Sequence, residues 1–385
     1  MGNDPSKAQA KKVTPQVSIR RRDVMAECYF KNVSNSTDGI SFERLTELFN
    51  EDLAESLWAY FVDEKPRTEV ITMEEFTKKS ARLLGSSTDV YVQILQPVLH
   101  FIKVSSDCAG AEAVHGDEHF INVLSQKMDG ENVDQIVQWK RNFAPKFCND
   151  VQALVLSKFT MRPMNKTDFS SDILTPLQMW FLQVCLPQAF FPERDEGVSQ
   201  HWSPLYTSLQ QGISTNRFET LVFDYRGPTV SIIRLTDKRI VAIASDQEWR
   251  HSSNRFGGPA TCLVELYPDI KKFEGASSIY CNLKLRSAAY GVSFKEIVKI
   301  DKDFNQVADI EVWGCSGAST LAEQQKLKNW QKQQAEKHKK VPLPGNWDDN
   351  PDKTLLEMAG FQFSSERENM AQEAMRREKE KAQGH

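Results

Sequence analysis

The sequence predicts an α+β protein with an all-helical first half, a β-rich middle and a helical tail. Three features of the 385-residue chain carry this reading. From about residue 23 to 195 apolar residues recur at helical spacing. Near residue 200 the pattern changes to β-branched runs separated by Gly, Pro and Ser. After Gly317 the chain turns polar and helical again. A single core stops growing at roughly 250–300 residues, so more than one domain is expected.

Residues 1–22 read as a disordered basic arm, poor in apolar residues and carrying Pro5 and Pro15. Its start, MGNDPS, places Gly2 and Ser6 in M-G-x-x-x-[ST], the pattern for N-myristoylation of Gly2. One myristoyl chain binds membrane with K of about 10⁴ M⁻¹, which holds a protein only marginally. Lys7, Lys11, Lys12, Arg20, Arg21 and Arg22 outweigh Asp4, and basic residues near an anionic surface add up to about 1 kcal/mol each. Acyl chain and basic arm together are expected to hold the chain on an anionic membrane face.

Residues 23–198 form the predicted helical region. In SFERLTELF (41–49), Phe42, Leu45, Leu48 and Phe49 share one face, and Leu53, Leu57, Tyr60 and Phe61 repeat the spacing. Helical spacing returns in 72–84 and in VYVQILQPVLHFI (90–102). Thr175 followed by Pro176 reads as an N-cap with proline at the first helical position, and that run is expected to end before Pro192. The loop PERDEGVSQ (192–200) is the expected domain boundary.

In the β-rich part, GPTVSIIRLTDKRIVAIAS (227–245) holds two β-branched runs around a T-D-K turn, a hairpin. ATCLVELYP (260–268), SSIYCNLKL (277–285) and DIEVWG (309–314) are further strand candidates. Residues 318–385 form the tail. The basic segment 321–340 is broken by PLPG (342–345), and SSERENMAQEAMRREKEKAQ (364–383) is a predicted helix capped by Ser364 or Ser365. Met370, Ala371, Ala374 and Met375 make one narrow apolar stripe on it, too little for packing on its own domain and suited to a partner. The basic stretch also leaves a calmodulin-like partner open.

Composition narrows the function classes. A net charge of −4 and the lack of a dense basic block in the folded part argue against nucleic acid. The seven cysteines are odd in number and never in a C-x-x-C pair, which points to a reduced cytosolic setting without zinc or a disulfide framework. The most apolar segment, MWFLQVCLPQAFF (179–191), is too short to span a bilayer about 30 Å thick.

No catalytic constellation stands out. HGDEH (115–119) fits the inverted zinc-peptidase string H-x-x-E-H, but Gly110, Gly116 and a capping Asp117 place His115 in a loop rather than on one helix with His119. SNSTDGISFERL (34–45), EKPRTEVITMEE (64–75) and DKDFNQ (301–306) resemble calcium loops and fail on ligand count, leaving a degenerate EF-hand-like rhythm in the helical half. No G-x-S-x-G and no phosphate loop is present. Neither a cofactor, a metal nor a catalytic residue is expected.

SPLYTSLQQGIS (203–214), the 227–245 hairpin, EWRHSSNRFGG (248–258), CLVELYP and DIEVWG stand in the order and spacing of a TLDc domain, which the stretch 199–317 resembles. That resemblance implies two antiparallel sheets packed as a sandwich with edge helices, 213–225 being one of them. GGPATC replaces the family's G-x-G-E-S/T, and the glycine-rich stretch before the next strand is reduced to SAAYGVSF (287–294). Both departures speak against an oxidation-protecting activity. The MGN start, the EF-hand-like half and a tail reading LLEMAG followed by SSE (355–366) are similar to the mTOR-associated, enhancer-of-akt type of TLDc protein. The likeness implies a non-catalytic regulator on the cytoplasmic face of the plasma membrane or lysosome, with a cytosolic pool, acting in TOR, insulin and nutrient signalling. Its implied partners are the vacuolar proton-ATPase and TOR or insulin-pathway components. The alternative is an oxidation-resistance-type protein or weak enzyme with a pocket near Glu265 or Glu311.

Overall fold

The structure, a computed structural model, describes residues 15–316 apart from 36–37, 63–65, 129–131, 165–166, 192–201 and 286–287. Beyond these it describes positions scattered between 326 and 360 and the stretch 366–382. Side chains of 15–23, 366–369 and 380–382 are outside the description. The chain divides into two compact units, Met1–Gln324 and Gln325–His385.

The first helix, α1 (Pro15–Ser34), begins inside the stretch expected to be disordered. Pro15 stands at the first helical position, where its missing N–H is no loss. Arg20, Arg21 and Arg22 therefore lie on a helix and not on an extended arm. The helix is held from its far end, where Phe30 and Val33 are buried and the Asn32 side-chain amide donates to the Phe159 carbonyl at 2.8 Å. Gly2, Lys7, Lys11 and Lys12 lie outside the described residues.

Two helix–loop–helix units follow. The first joins α1 to α2 (Phe42–Leu48), and the second joins α3 (Glu51–Val62) to α4 (Met73–Leu83). Local chemistry fixes their starts. Ser41 accepts from the Arg44 N–H, and Thr72 with Glu75 forms a capping box, which satisfies donors a helix start leaves open. The two loops meet in an antiparallel bridge, Ile40 N–H to Ile71 O at 3.0 Å and Ile71 N–H to Ile40 O at 2.8 Å. The EF-hand-like pairing thus rests on backbone and apolar contacts. Phe76 joins the elements, its ring centroid 5.6, 5.4 and 5.2 Å from those of Phe30, Phe61 and Phe159.

The single segment expected over 90–102 is two helices, α5 (Asp89–Ile94) and α6 (Val98–Ala109). Pro97 separates them, because its ring denies the preceding residue the helical region and it has no N–H to donate. After α7 (Glu118–Met128), α8 (Val133–Phe143) and α9 (Asn149–Thr160) comes α10 (Pro176–Cys185), capped by Thr175 accepting from the Gln178 N–H. It stops before Pro187, earlier than Pro192, and a 3₁₀ turn covers Gln188–Phe190.

The β part has a six-stranded antiparallel sheet in the order β1-β9-β2-β3-β4-β5 and a three-stranded sheet β6-β7-β8. Its elements are β1 (Ser203–Thr207), α11 (Ser208–Gln211), α12 (Thr215–Val222), β2 (Thr229–Leu235), β3 (Ile240–Ser245), β4 (Cys262–Tyr267), β5 (Lys271–Glu274), β6 (Ile279–Cys281), β7 (Val292–Phe294), β8 (Val298–Ile300) and β9 (Val307–Gly314). The hairpin, the three strand candidates, the helix within 213–225 and the two-sheet sandwich all stand where expected. Side chains alternate between the faces of a strand. Ile233, Val241, Ile243, Leu263 and Val312 face a core that includes Phe294 and Ile300 of the small sheet.

The opposite face is not a solvent face. Val230, Ile232, Ala242, Ala244, Val264 and Trp313 belong to the same continuous core as Phe101, Phe147 and Trp180 of the helical half. Ala242 and Ala244 leave room for the helices, and α10 packs on β4. Polar contacts fix the seam. Glu311 accepts from the Ser171 hydroxyl at 2.5 Å and the Asp172 N–H at 2.9 Å, Arg234 donates to the Ile173 carbonyl at 2.9 Å, and the buried Trp202 indole donates to Phe190 O at 2.8 Å. The described parts of the helical half and the sheets share one core within a single compact unit, and the loop 192–200, where the boundary is expected, lies outside the described residues. A two-sided sheet in water would leave one apolar face open, and the helices cover it.

The tail unit holds α13 (Glu366–Ala382), as predicted for 364–383. Ser364 and Ser365 and most of 321–340 lie outside the described residues.

Candidate functional site

The sequence-derived candidates fall into three groups. Of the anchor, only Arg20, Arg21 and Arg22 lie on a described backbone, in the first turns of α1. Among the described residues no helix is long and apolar enough to cross a membrane.

The second candidate is the tail helix. Met370 and Met375 are 72% and 67% exposed, and Ala371 and Ala374 are exposed beside them. All four stand on α13 at positions i, i+1, i+4 and i+5. Trp330, Leu355 and Met358 of the same unit are also more than half exposed. Thioether side chains adapt to many apolar surfaces, which suits docking. Glu373 and Arg377 flank the stripe at i, i+4 with 3.9 Å between them.

The third group contains the strings that imitate chemistry. His115 sits in an exposed turn and His119 on α7, where its ring bonds the Pro268 carbonyl at 2.9 Å and packs on Tyr267. A carbonyl only accepts, so His119 Nε2 carries the proton in this contact and offers no lone pair to a metal. Asp117 is fully buried and structural. It accepts from the Val114 N–H at 3.0 Å and the Thr175 hydroxyl at 2.7 Å, tying the turn to the start of α10. Asp301 likewise closes its own loop, accepting from the N–H groups of Asp303 and Asn305 at 3.1 and 2.9 Å. Among the described residues no cluster of three His, Cys, Asp or Glu side chains is disposed to hold a metal ion.

Both acids of the alternative reading are buried. Burial pushes the Glu311 carboxyl up, against the pull of its Ser171 and Asp172 donors, and both oxygens are occupied at the seam. Glu265 is 7% exposed within β4, opposite Lys271 of β5. One pair escaped the sequence reading. Ser56 Oγ lies 2.8 Å from His100 Nε2, but the same hydroxyl also lies 3.0 Å from the Asp52 carbonyl. The contact ties α3 to α6, and among the described residues no carboxylate bonds the other nitrogen of His100.

The cysteines carry a clear message. Cys108, Cys148, Cys185, Cys262, Cys281 and Cys315 are buried and unpaired, and Cys28 is exposed. Burial pushes the Cys108, Cys148 and Cys262 thiols up to about 12 and the other three buried ones up as well. A thiol reacts as thiolate, so these six are inert core residues.

A sandwich of two antiparallel sheets, edged by α11 and α12 and backed by helices, defines the class of protein. Residues 167–294 match the TLDc domain family, and the chain carries a TLDc domain. The match opens at residue 167 and so takes in the seam and α10, 32 residues before the start read from the sequence. The fold continues past its end, since β9 is central in the large sheet.

Similar proteins are fungal. The chain is 24% identical over 246 residues to Restriction of telomere capping protein 5 of Zygosaccharomyces rouxii, covering 42% of this chain and 44% of that one. The protein of the same name from Colletotrichum graminicola is 24% identical over 254 residues, 45% of this chain and 42% of the relative. The one from Vanderwaltozyma polyspora is 26% identical over 176 residues, 33% and 31%. The chain spans less than half the length of these curated relatives.

Proposed function

We propose that the chain is a non-catalytic regulatory adaptor, held on the cytoplasmic face of the plasma membrane or lysosome by myristoylated Gly2 and its basic residues. It acts in TOR, insulin and nutrient signalling and contacts the vacuolar proton-ATPase or signalling complexes through the TLDc domain and α13. The observation that carries the adaptor reading is the tail unit, where Trp330, Leu355, Met358, Met370 and Met375 stand exposed. A small unit that leaves such side chains in water gains by docking them on a partner. The inert buried thiols weigh against the oxidation-protecting alternative.

Proximity labelling of the full chain beside a chain truncated at Gly360 tests this reading. Loss of a proton-pump or TOR-complex signal on truncation supports it, and an unchanged set of labelled proteins overturns it. The name of the fungal relatives favours a second reading, a part in restricting telomere capping. Nuclear enrichment of the full chain, with no membrane fraction, would select that one.

A further inference from the structure

Where the helical half meets the start of the TLDc match, a half-open cleft of about 190 Å³ is lined by residues from both. Lys146, just before α9, enters it from the helical side, and Phe169, Trp180 and Phe191 form aromatic walls from the other. The Lys146 Nζ is shielded from solvent and has no hydrogen-bond partner among the described residues. Its nearest compensation is the Phe191 ring, whose centroid lies 3.3 Å away. A cation over a ring face recovers part of what hydration would supply, but leaves three donors unused.

Among the described residues no carboxylate forms an ion pair with it. Lys272 of β5 adds like charge, and its own amine is paired with Glu274 at 2.7 Å. Asp150, which also lines the cavity, accepts from the Trp180 indole at 3.1 Å. Burial and Lys272 together pull the Lys146 ammonium down to about 7. Native structures pair almost all of their buried polar groups, so an unpartnered amine on a residue that lines a cavity is an incomplete contact.

We propose that this cavity is a ligand site for a small monoanionic carboxylate with an apolar or aromatic body, its carboxylate held by Lys146 Nζ. The walls select this class. Aromatic faces suit a flat apolar body, while Asn149, Gln183 and Gln188 stand at the lining to bond a second oxygen. A phosphate dianion would meet Asp150 and find one lysine where phosphate sites gather several donors. The volume admits a metabolite-sized molecule and not a drug-sized one. Because the cavity joins the two halves, occupation would tighten the seam between α9, α10 and the 3₁₀ turn.

Benzoate is the test probe, with benzamide as its neutral isostere and inorganic phosphate as the competing anion, titrated by calorimetry into the full chain at pH 6 and pH 8.5. Saturable benzoate binding at least about tenfold tighter than benzamide is expected, weakening more than about tenfold at the higher pH as the free amine loses its proton. Lys146→Met should remove that preference. Should the variant fail to fold, the wild-type chain carrying ¹³C-dimethylated lysines gives a second readout, a shift of the Lys146 resonance on adding benzoate. No saturable binding at millimolar benzoate, equal binding of benzamide, tighter binding of phosphate, or an unmoved Lys146 resonance overturns the proposal.

Discussion

Lys146→Met should make the protein more stable at neutral and acid pH, and the gain should fade as the solution becomes alkaline. In the unfolded chain the amine titrates near 10.5, and in the fold it does so near 7. Between those values the unfolded chain holds a proton that the folded one has lost, so wild-type stability rises with pH there. Below 7 both states are charged and the full cost of burying the ammonium is present. Above 10.5 both are neutral and the cost is gone. Each factor of ten in the proton equilibrium is worth about 1.4 kcal/mol, which bounds the cost near 5 kcal/mol. The side chain is partly open and lies on Phe191, so screening reduces this to roughly 1–3 kcal/mol. Denaturant unfolding of both proteins at pH 6, 8 and 10 measures the difference, and comparing the two cancels other titrations. The stability gap should be largest at pH 6 and close by pH 10. A variant less stable at pH 6, or a gap independent of pH, would refute the assignment of Lys146 as an uncompensated buried charge.

Other expectations follow from the same contacts. Burial works against the Asp89 carboxylate, but hydrogen bonds from Lys140 at 2.7 Å and Arg141 at 2.6 Å hold it well below the usual carboxylate range. Its contribution is present above the unfolded value near 4 and is lost as pH falls below it. Asp89→Asn, which strands the buried Lys140, should cost about 3 kcal/mol by chemical denaturation at pH 7. A fragment of residues 199–317 should be insoluble or bind a hydrophobic dye, because Val230, Ile232, Val264 and Trp313 lose their cover. A chain ending at residue 317 but keeping the helical half should be soluble by size-exclusion chromatography. Brief treatment of the native protein with N-ethylmaleimide should modify Cys28 alone, by peptide mass spectrometry, and the remaining cysteines only as it unfolds. Phe76→Ala, which opens the junction of four aromatic rings, should lower stability by about 3–5 kcal/mol.

Local chemistry was legible in the sequence wherever a few neighbouring residues decide the outcome. Thr175–Pro176 marks the start of α10, and the T-D-K turn between β-branched runs marks β2 and β3. What neighbours do not decide was missed. α1 is polar over its first turns and is held by Phe30 and Val33 reaching Phe76 and Phe159, contacts distant in sequence. A change from helical to strand pattern marks a change of element and does not end a core, and one core runs through both parts here. The run IVAIAS of β3, apolar on both faces, already carries the mark of a strand covered on both sides. β5, β7 and β8 are only three or four residues long, too short for periodicity to show. The Lys146 cavity had no signal at all, since its aromatic walls come from residues 169, 180 and 191, which the fold alone brings together.

Membrane anchoring through Gly2 is tested most directly by fractionating cells that express the wild-type chain or Gly2→Ala, with incorporation of labelled myristate read on the same samples. The adaptor reading predicts label on the wild type only and a shift of the variant from membrane to cytosol. Equal membrane association of both chains, or a wild type that takes up no myristate, would contradict it.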